Sequence, residues 1–249
     1  MTHSCRFIFV AGALSLLAIG WAADTGTVLD LDQVRLDVFP LQLEKVPLTG
    51  ALGMIGVRAN AVKGNLVLFG VEVFTEEGKE PLVTARIPGG STLRAALTAV
   101  VQAVPTYTFE AVTPHMINFL PDTAGSNPDD LLNVGISRLS LVDVSPSNFI
   151  GNPARYIPEL RAALDRGKAP GCQIGPGLSD KAPGITFQAD AVTVRQTLNL
   201  VSEASVASAQ GNRGVASGWV YLHEEFPSPD SPADSWRVHD VWDPRRHGN

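Results

Sequence analysis

Between residues 28 and 225, apolar positions recur with two different periods, and each change of period marks an element. Leu66 to Phe74, within "GNLVLFGVEVFT", is a short apolar run opened by a "KGN" turn and closed by "EEGKEP", the pattern of a strand. "PLVTARI" predicts a second strand ending at Pro88-Gly89-Gly90. Leu93, Leu97, Val100, Val101 and Val104 then recur at steps of three and four, which places them on one helix face, and Pro105 stops that helix. "TYTFEAV" and "MINFLP" return to the strand period and predict a hairpin around "TPH", with Tyr107 and Phe109 on one face. Earlier, Leu48, Leu52 and Ile55 outline a helix in which Gly50, Gly53 and Gly56 each cost about 1 kcal/mol relative to Ala. Leu29, Leu31, Val34, Leu36 and Val38 predict an extended lead-in.

The second half follows a similar grammar. Val134, Ile136, Leu139, Leu141 and Val144 predict a kinked strand, and Tyr156, Leu160 and Leu164 a helix within "PARYIPELRAALDRG". "KAPGCQIGPGLSDKAPG" is too rich in Gly and Pro for regular structure. A strand in "ITFQADA" leads to a helix carrying Val194, Leu198 and Val201 on one face. "ASAQGNRGVASG" predicts a flexible connection, Trp219 to Glu225 a strand, and residues 226–249 a mostly disordered tail. Residues 122–133 are polar and turn-rich, with Asp129 and Asp130 placed to cap a short "LLN" helix.

Two of these helices start alike. "STLRAALTAV" (91–100) and "VTVRQTLNLV" (192–201) share Thr, an aliphatic residue, Arg, two residues, Leu, two residues, Val. The Thr hydroxyl can accept from an unpaired first-turn amide, the aliphatic residue and Leu pin the helix to a sheet, and the Arg faces solvent or a carboxylate. Capping and packing account for the motif in full, so Thr92, Arg94, Thr193 and Arg195 are expected to be structural. "VPLTGALGMI" is a degenerate third copy. The expected class is α+β: two small βαβ-type domains in tandem, 28–121 and 134–225, joined by the linker 122–133. Each should carry short helices on a small mixed sheet of its own.

Composition narrows the setting. The 249 residues are 45% hydrophobic and 18% charged, with a formal net charge of −6, which fits a globular chain and excludes a nucleic-acid partner that needs a basic face. "FIFVAGALSLLAIG" (Phe7 to Gly20), with Gly20 and Ala22 at the small positions before a cleavage site, has the form of a secretory signal over residues 1–22. Cleavage implies a periplasmic or secreted protein with no membrane insertion afterwards. It also removes Cys5 and leaves Cys172 as an unpaired loop thiol, so the mature fold rests on its core without disulfides.

Candidate chemistry is thin. His115, His223, His239 and His247 show no spacing that sets two metal ligands on one helix face, although His223 and Glu225 share a strand face. No nucleophile elbow, phosphate loop, dinucleotide glycine pattern or calcium loop occurs. No metal or cofactor is therefore expected, and no catalytic residue is assigned. The competing reading is an exported hydrolase using His115 or His223 with a nearby carboxylate.

"VPLTGAL", "GSTLRAAL", "TYTFEAV" and "INFLP" occur in order across residues 46–121, and this series resembles the short N-terminal domain of secretins and TonB-dependent receptors. Residues 134–225, with "ITFQADAVTVRQTLNLV" and "GWVYLHE", look like a second, diverged copy. The "TEEGKEPL" segment and the glycines of the first helix depart from the pattern. The resemblance implies an α+β module of the bacterial envelope that binds another envelope protein and does no chemistry. A tandem arrangement of this kind is also similar to a group of exported bacterial proteins.

Overall fold

Turn residues and capping set the element boundaries in the computed structural model, which describes residues 27–76, 79–128, 130–167, 173–174, 184–212, 216–224 and 234–241. The first half runs β1 (Leu41–Pro47), α1 (Leu48–Asn60), β2 (Leu68–Thr75), β3 (Leu82–Ile87), α2 (Leu93–Ala103), β4 (Tyr107–Ala111) and β5 (Met116–Pro121). The second runs β6 (Gly135–Val144), α3 (Pro146–Gly151), α4 (Pro158–Gly167), β7 (Gln173–Ile174), β8 (Ile185–Thr193), α5 (Val194–Asn212), β9 (Ala216–Glu224) and β10 (Asp234–Val241). The protein is α+β, as its patterning predicts.

The duplicated grammar is a duplicated topology. In the first half β1 pairs antiparallel with β3, while β4, β5 and β2 line up in that order, antiparallel then parallel. In the second, β6 pairs antiparallel with β8, while β9, β10 and β7 line up antiparallel then parallel. Even the irregularities match. Each two-stranded ladder slips register at one bulge, where Lys45 (φ 51°) or Asp143 (φ 52°) is left-handed. The amide of Lys45 donates to Thr84 Oγ1 at 3.1 Å, and that of Asp143 to Thr186 Oγ1 at 3.0 Å. A threonine one strand across thus accepts from each bulge amide that the ladder leaves unpaired, in both cases at an exposed position.

The expectation of a separate small sheet for each half does not hold. β2 pairs in parallel with β9, from Gly70↔Trp219 to Thr75↔Glu224, and the strands join as one six-stranded sheet ordered β4-β5-β2-β9-β10-β7. The halves cover its opposite faces. Phe69, Val71, Val73, Val220 and Leu222 are buried with Leu52 and Ile55 of α1 and Leu97 of α2. Leu68, Trp219 and Tyr221 are buried with Phe149 of α3 and with Leu198 and Val201 of α5. Alternate residues of one strand therefore serve two cores. The junction is tight because a side chain on Gly70 would overlap the Trp219 indole, and one on Gly218 the carbonyl oxygen of Phe69.

Other differences from expectation have local causes. The lead-in 29–38 is a turn with a single bridge, Arg35↔Thr92, because Val34 and Leu31 give their carbonyls to the amides of Leu93 and Arg94 at the start of α2. The helix in "PARYIPELRAALDRG" begins only at Pro158, after a 3₁₀ turn at Pro153–Arg155. α3 and β7 were not legible in their Pro- and Gly-rich surroundings. α5 continues to Asn212 through "ASAQGN", where Ala207, Ala209 and Gln210 favour helix and Gly211 and Asn212 fall at its end. Residues 234–241 of the expected tail form β10, whose "SWRVHDV" has the alternation of a strand. The expected signal, residues 1–22, lies outside the described residues.

Candidate functional site

The repeated helix start behaves differently in its two copies. Thr92 caps α2 by accepting from the Ala95 amide at 3.1 Å. Thr193 and Gln196 form a reciprocal box at the start of α5: Gln196 N donates to Thr193 Oγ1 at 3.2 Å, and Thr193 N to Gln196 Oε1 at 2.8 Å. Arg94 reaches Asp32 at 2.8 Å on the surface, both side chains being about half exposed. Arg195 points inward instead. Its Nη2 donates to Asp130 Oδ2 at 2.7 Å and to Glu72 Oε2 at 2.8 Å, and its Nη1 to Asn133 Oδ1 at 2.6 Å.

This buried cluster ties α5 to the middle of β2, across the seam between the halves. One guanidinium faces two carboxylates whose side chains are 1% and 3% exposed. Burial pushes Glu72 up from 4.5 to about 7, helped by the Asp130 charge and opposed by Arg195. Asp130 is also raised, by burial first, against a hydrogen bond from the Leu132 amide and the pull of Arg195. The physical reason is first that burial strips water from both carboxylates, and at Glu72 also that two carboxylates share one guanidinium. Asp130 caps the 3₁₀ turn Leu131–Asn133 as expected, its Oδ1 accepting from Leu132 N at 2.8 Å. Asp129 lies outside the described residues.

His115 meets a carboxylate, as the competing reading requires. Its Nδ1 is 2.6 Å from Glu203 Oε1 on α5, and Thr113 Oγ1 donates to Glu203 Oε2 at 2.5 Å. The Thr113 hydroxyl also accepts the amides of His115 (3.3 Å) and Met116 (2.9 Å), so it closes the β4–β5 turn and fastens it to α5. Its proton goes to the carboxylate, and among the described residues none of its bonds involves an imidazole nitrogen, which is the opposite of nucleophile activation. Burial raises the Glu203 pKa, but the bonds from His115 and Thr113 outweigh it and hold the carboxylate below its ordinary value. His223 packs its ring against Phe74 and Tyr221. His239 stands opposite Gly218 on β10, and Glu225, His247 and Cys172 lie outside the described residues.

A cavity of about 550 Å³ lies between the β4–β5 face and the first turns of α5. Glu110, Val112 and Asn118 line its sheet side, and Arg195, Asn199 and Leu200 its helix side. Asn199 accepts from Trp219 Nε1 at 2.8 Å. Asn118 is 2% exposed, and its Oδ1 has no hydrogen-bond partner among the described residues, nor does Arg195 Nε or Glu72 Oε1. Among the described residues no group of three or more His, Cys, Asp or Glu is gathered for a metal.

Sequence reasoning missed Glu72, Glu203, Asn118 and Asn133. Glu72 alone had a visible signal, a lone acid in the otherwise apolar "LFGVEVFT". No protein-family model, curated protein or solved structure matches the chain.

Proposed function

We propose that this protein is an exported, non-enzymatic recognition and assembly module of the bacterial envelope, working through strand edges. One observation carries the reading: the chain joins two topologically equivalent units by pairing the edge of β2 with the edge of β9, in parallel. β4 occupies in the first half the position that β9 occupies in the second, and among the described residues it ends the sheet. The amide of Val112 donates to Met116 and that of Asp122 to Thr106, so the intervening Thr108 and Glu110 also bond inward to β5. The alternation of an antiparallel ladder then turns the amides of Phe109 and Ala111 outward, ready for a further strand. The likeness of residues 46–121 to envelope interaction domains and the leader-like first residues point the same way.

The test is photo-crosslinking in the envelope of the source cell. A photoreactive residue in place of the exposed Thr108 should give a discrete adduct, lost when Ala111→Pro removes an outward amide. An adduct that survives Ala111→Pro, or none at Thr108 while a control site on the opposite edge gives one, overturns the edge reading. A mature N-terminus at Met1 overturns export. Hydrolysis of a peptide, ester or glycoside panel that is lost in His115→Ala would favour the hydrolase instead.

A further inference from the structure

The cavity beside β4 has a chemistry of its own, which deepens the edge reading and rests on it. Its sheet side starts at β4 itself: Glu110 and Val112 point to the face that α5 overhangs. A strand added along β4 would turn every second side chain to the face that carries Glu110, one of them beside Glu110 at the cavity mouth. Three features define the side chain that fits.

The first is charge. Glu110 is exposed and makes no ion pair among the described residues, while the Arg195 cation is already matched by Asp130 and Glu72. The wall thus carries surplus negative charge, in a chain whose net charge is −6. The second is the buried acceptor Asn118 Oδ1, which has no hydrogen-bond partner among the described residues at 2% exposure and which an N–H donor would satisfy. The third is apolar lining from Val112 and Leu200, which suits a methylene stem below a polar head. A cationic head with N–H donors on an aliphatic stem satisfies all three.

We propose that this cavity receives the side chain of a lysine or arginine carried by an extended segment lying along the free edge of β4. The main chain of the segment pairs with Phe109 and Ala111. Its ammonium or guanidinium meets Glu110 and Asn118, and its stem lies on Val112 and Leu200.

Calorimetry on the full chain tests this with three probes: acetyl-Thr-Val-Lys-Val-Thr-amide, the same peptide with norleucine for lysine, and N-acetyl-lysine amide. The lysine peptide is expected to bind, and the norleucine peptide at least about 10-fold more weakly, through loss of a charge-assisted bond. Glu110→Gln, at an exposed position that leaves folding intact, should weaken the lysine peptide by about 5-fold and leave the norleucine peptide unchanged. Ala111→Pro should abolish both. Equal binding of the two peptides that Ala111→Pro still abolishes overturns the cavity assignment and leaves the edge reading standing. N-acetyl-lysine amide binding as tightly as the peptide, and insensitive to Ala111→Pro, shows a site for free amines and overturns the segment. No binding of the lysine peptide overturns the proposal.

Discussion

Arg195 and Glu72 are 123 residues apart in sequence, and Arg195 Nη2 sits 2.8 Å from Glu72 Oε2. The contact joins the second copy of a repeated helix start to a strand of the first half. Its counterpart in the first copy, Arg94, reaches a surface aspartate. Two arginines at matching positions thus have unequal roles, and burial sets the difference.

That inequality is measurable. Arg195→Met leaves Glu72 and Asp130 facing each other without a cation, and should destabilise the fold by about 3–5 kcal/mol. Arg94→Met removes an exposed pair and should cost less than about 1 kcal/mol. Denaturant midpoints of the two variants, compared with the parent chain, check the contrast. Equal losses would sink the assignment of Arg195 as a buried lock.

Glu72 makes stability depend on pH in a stated direction. Its pKa rises from 4.5 to about 7 on folding, so the folded state holds the proton more tightly. Below about 4.5 both states are protonated. Between about 4.5 and 7 the unfolded chain loses the proton first, and stability falls as pH rises. The raised Asp130 adds to the same slope. Glu72→Gln should flatten it, which a series of denaturation curves across this range will read. An unchanged slope in the variant would mean that Glu72 is not its source.

Glu203 acts with the opposite sign. Its carboxylate is held below the ordinary value of 4.5 by His115 and Thr113, so its contribution is present above that value and lost as pH falls through the folded pKa. Glu203→Gln should lower stability near neutral pH by about 1–2 kcal/mol and reduce the loss on acidification. Chemical denaturation at neutral pH and near pH 4 provides the comparison. A variant as stable as the parent at neutral pH would contradict the fastening role.

The seam itself depends on a missing side chain. Gly70→Ala places a methyl group where the Trp219 indole lies, and should destabilise by about 1–3 kcal/mol through overpacking. Gly90→Ala, at φ 70° with open space around it, meets no neighbour and tests backbone strain alone. A shifted near-ultraviolet signal from the tryptophans in Gly70→Ala, absent in Gly90→Ala, would locate the first effect at the seam.

Most elements of the first half were legible because their apolar periods are clean and their ends carry turn residues. α2 shows this best, with Thr92 before it and Pro105 after it. The lead-in failed because Leu31, Val34 and Leu36 are buried by wrapping over the core, which imitates a strand's alternation. β10 failed because its surroundings are rich in Pro and Asp, and composition outweighed the short alternation within it. Of the site, the Thr caps and the Asp130 cap were readable, since each acts on amides two or three residues away. Glu72, Asn118 and Glu203 were not, because their partners or cavity neighbours lie on other elements.

By itself the sequence determined the α+β class, the two copies of a capped helix start and the local ends of most elements. These follow from interactions within a few residues: capping hydroxyls, turn residues and the period of apolar positions. Only the tertiary structure decided that the two halves share a sheet, that one of the repeated arginines is buried against two carboxylates, and that a cavity opens beside β4. Strand pairing between β2 and β9 joins residues 149 apart at Gly70 and Trp219, and no local pattern encodes which edges meet. That choice belongs to the packing of whole faces, where Gly70 makes room for Trp219 and Arg195 reaches Glu72.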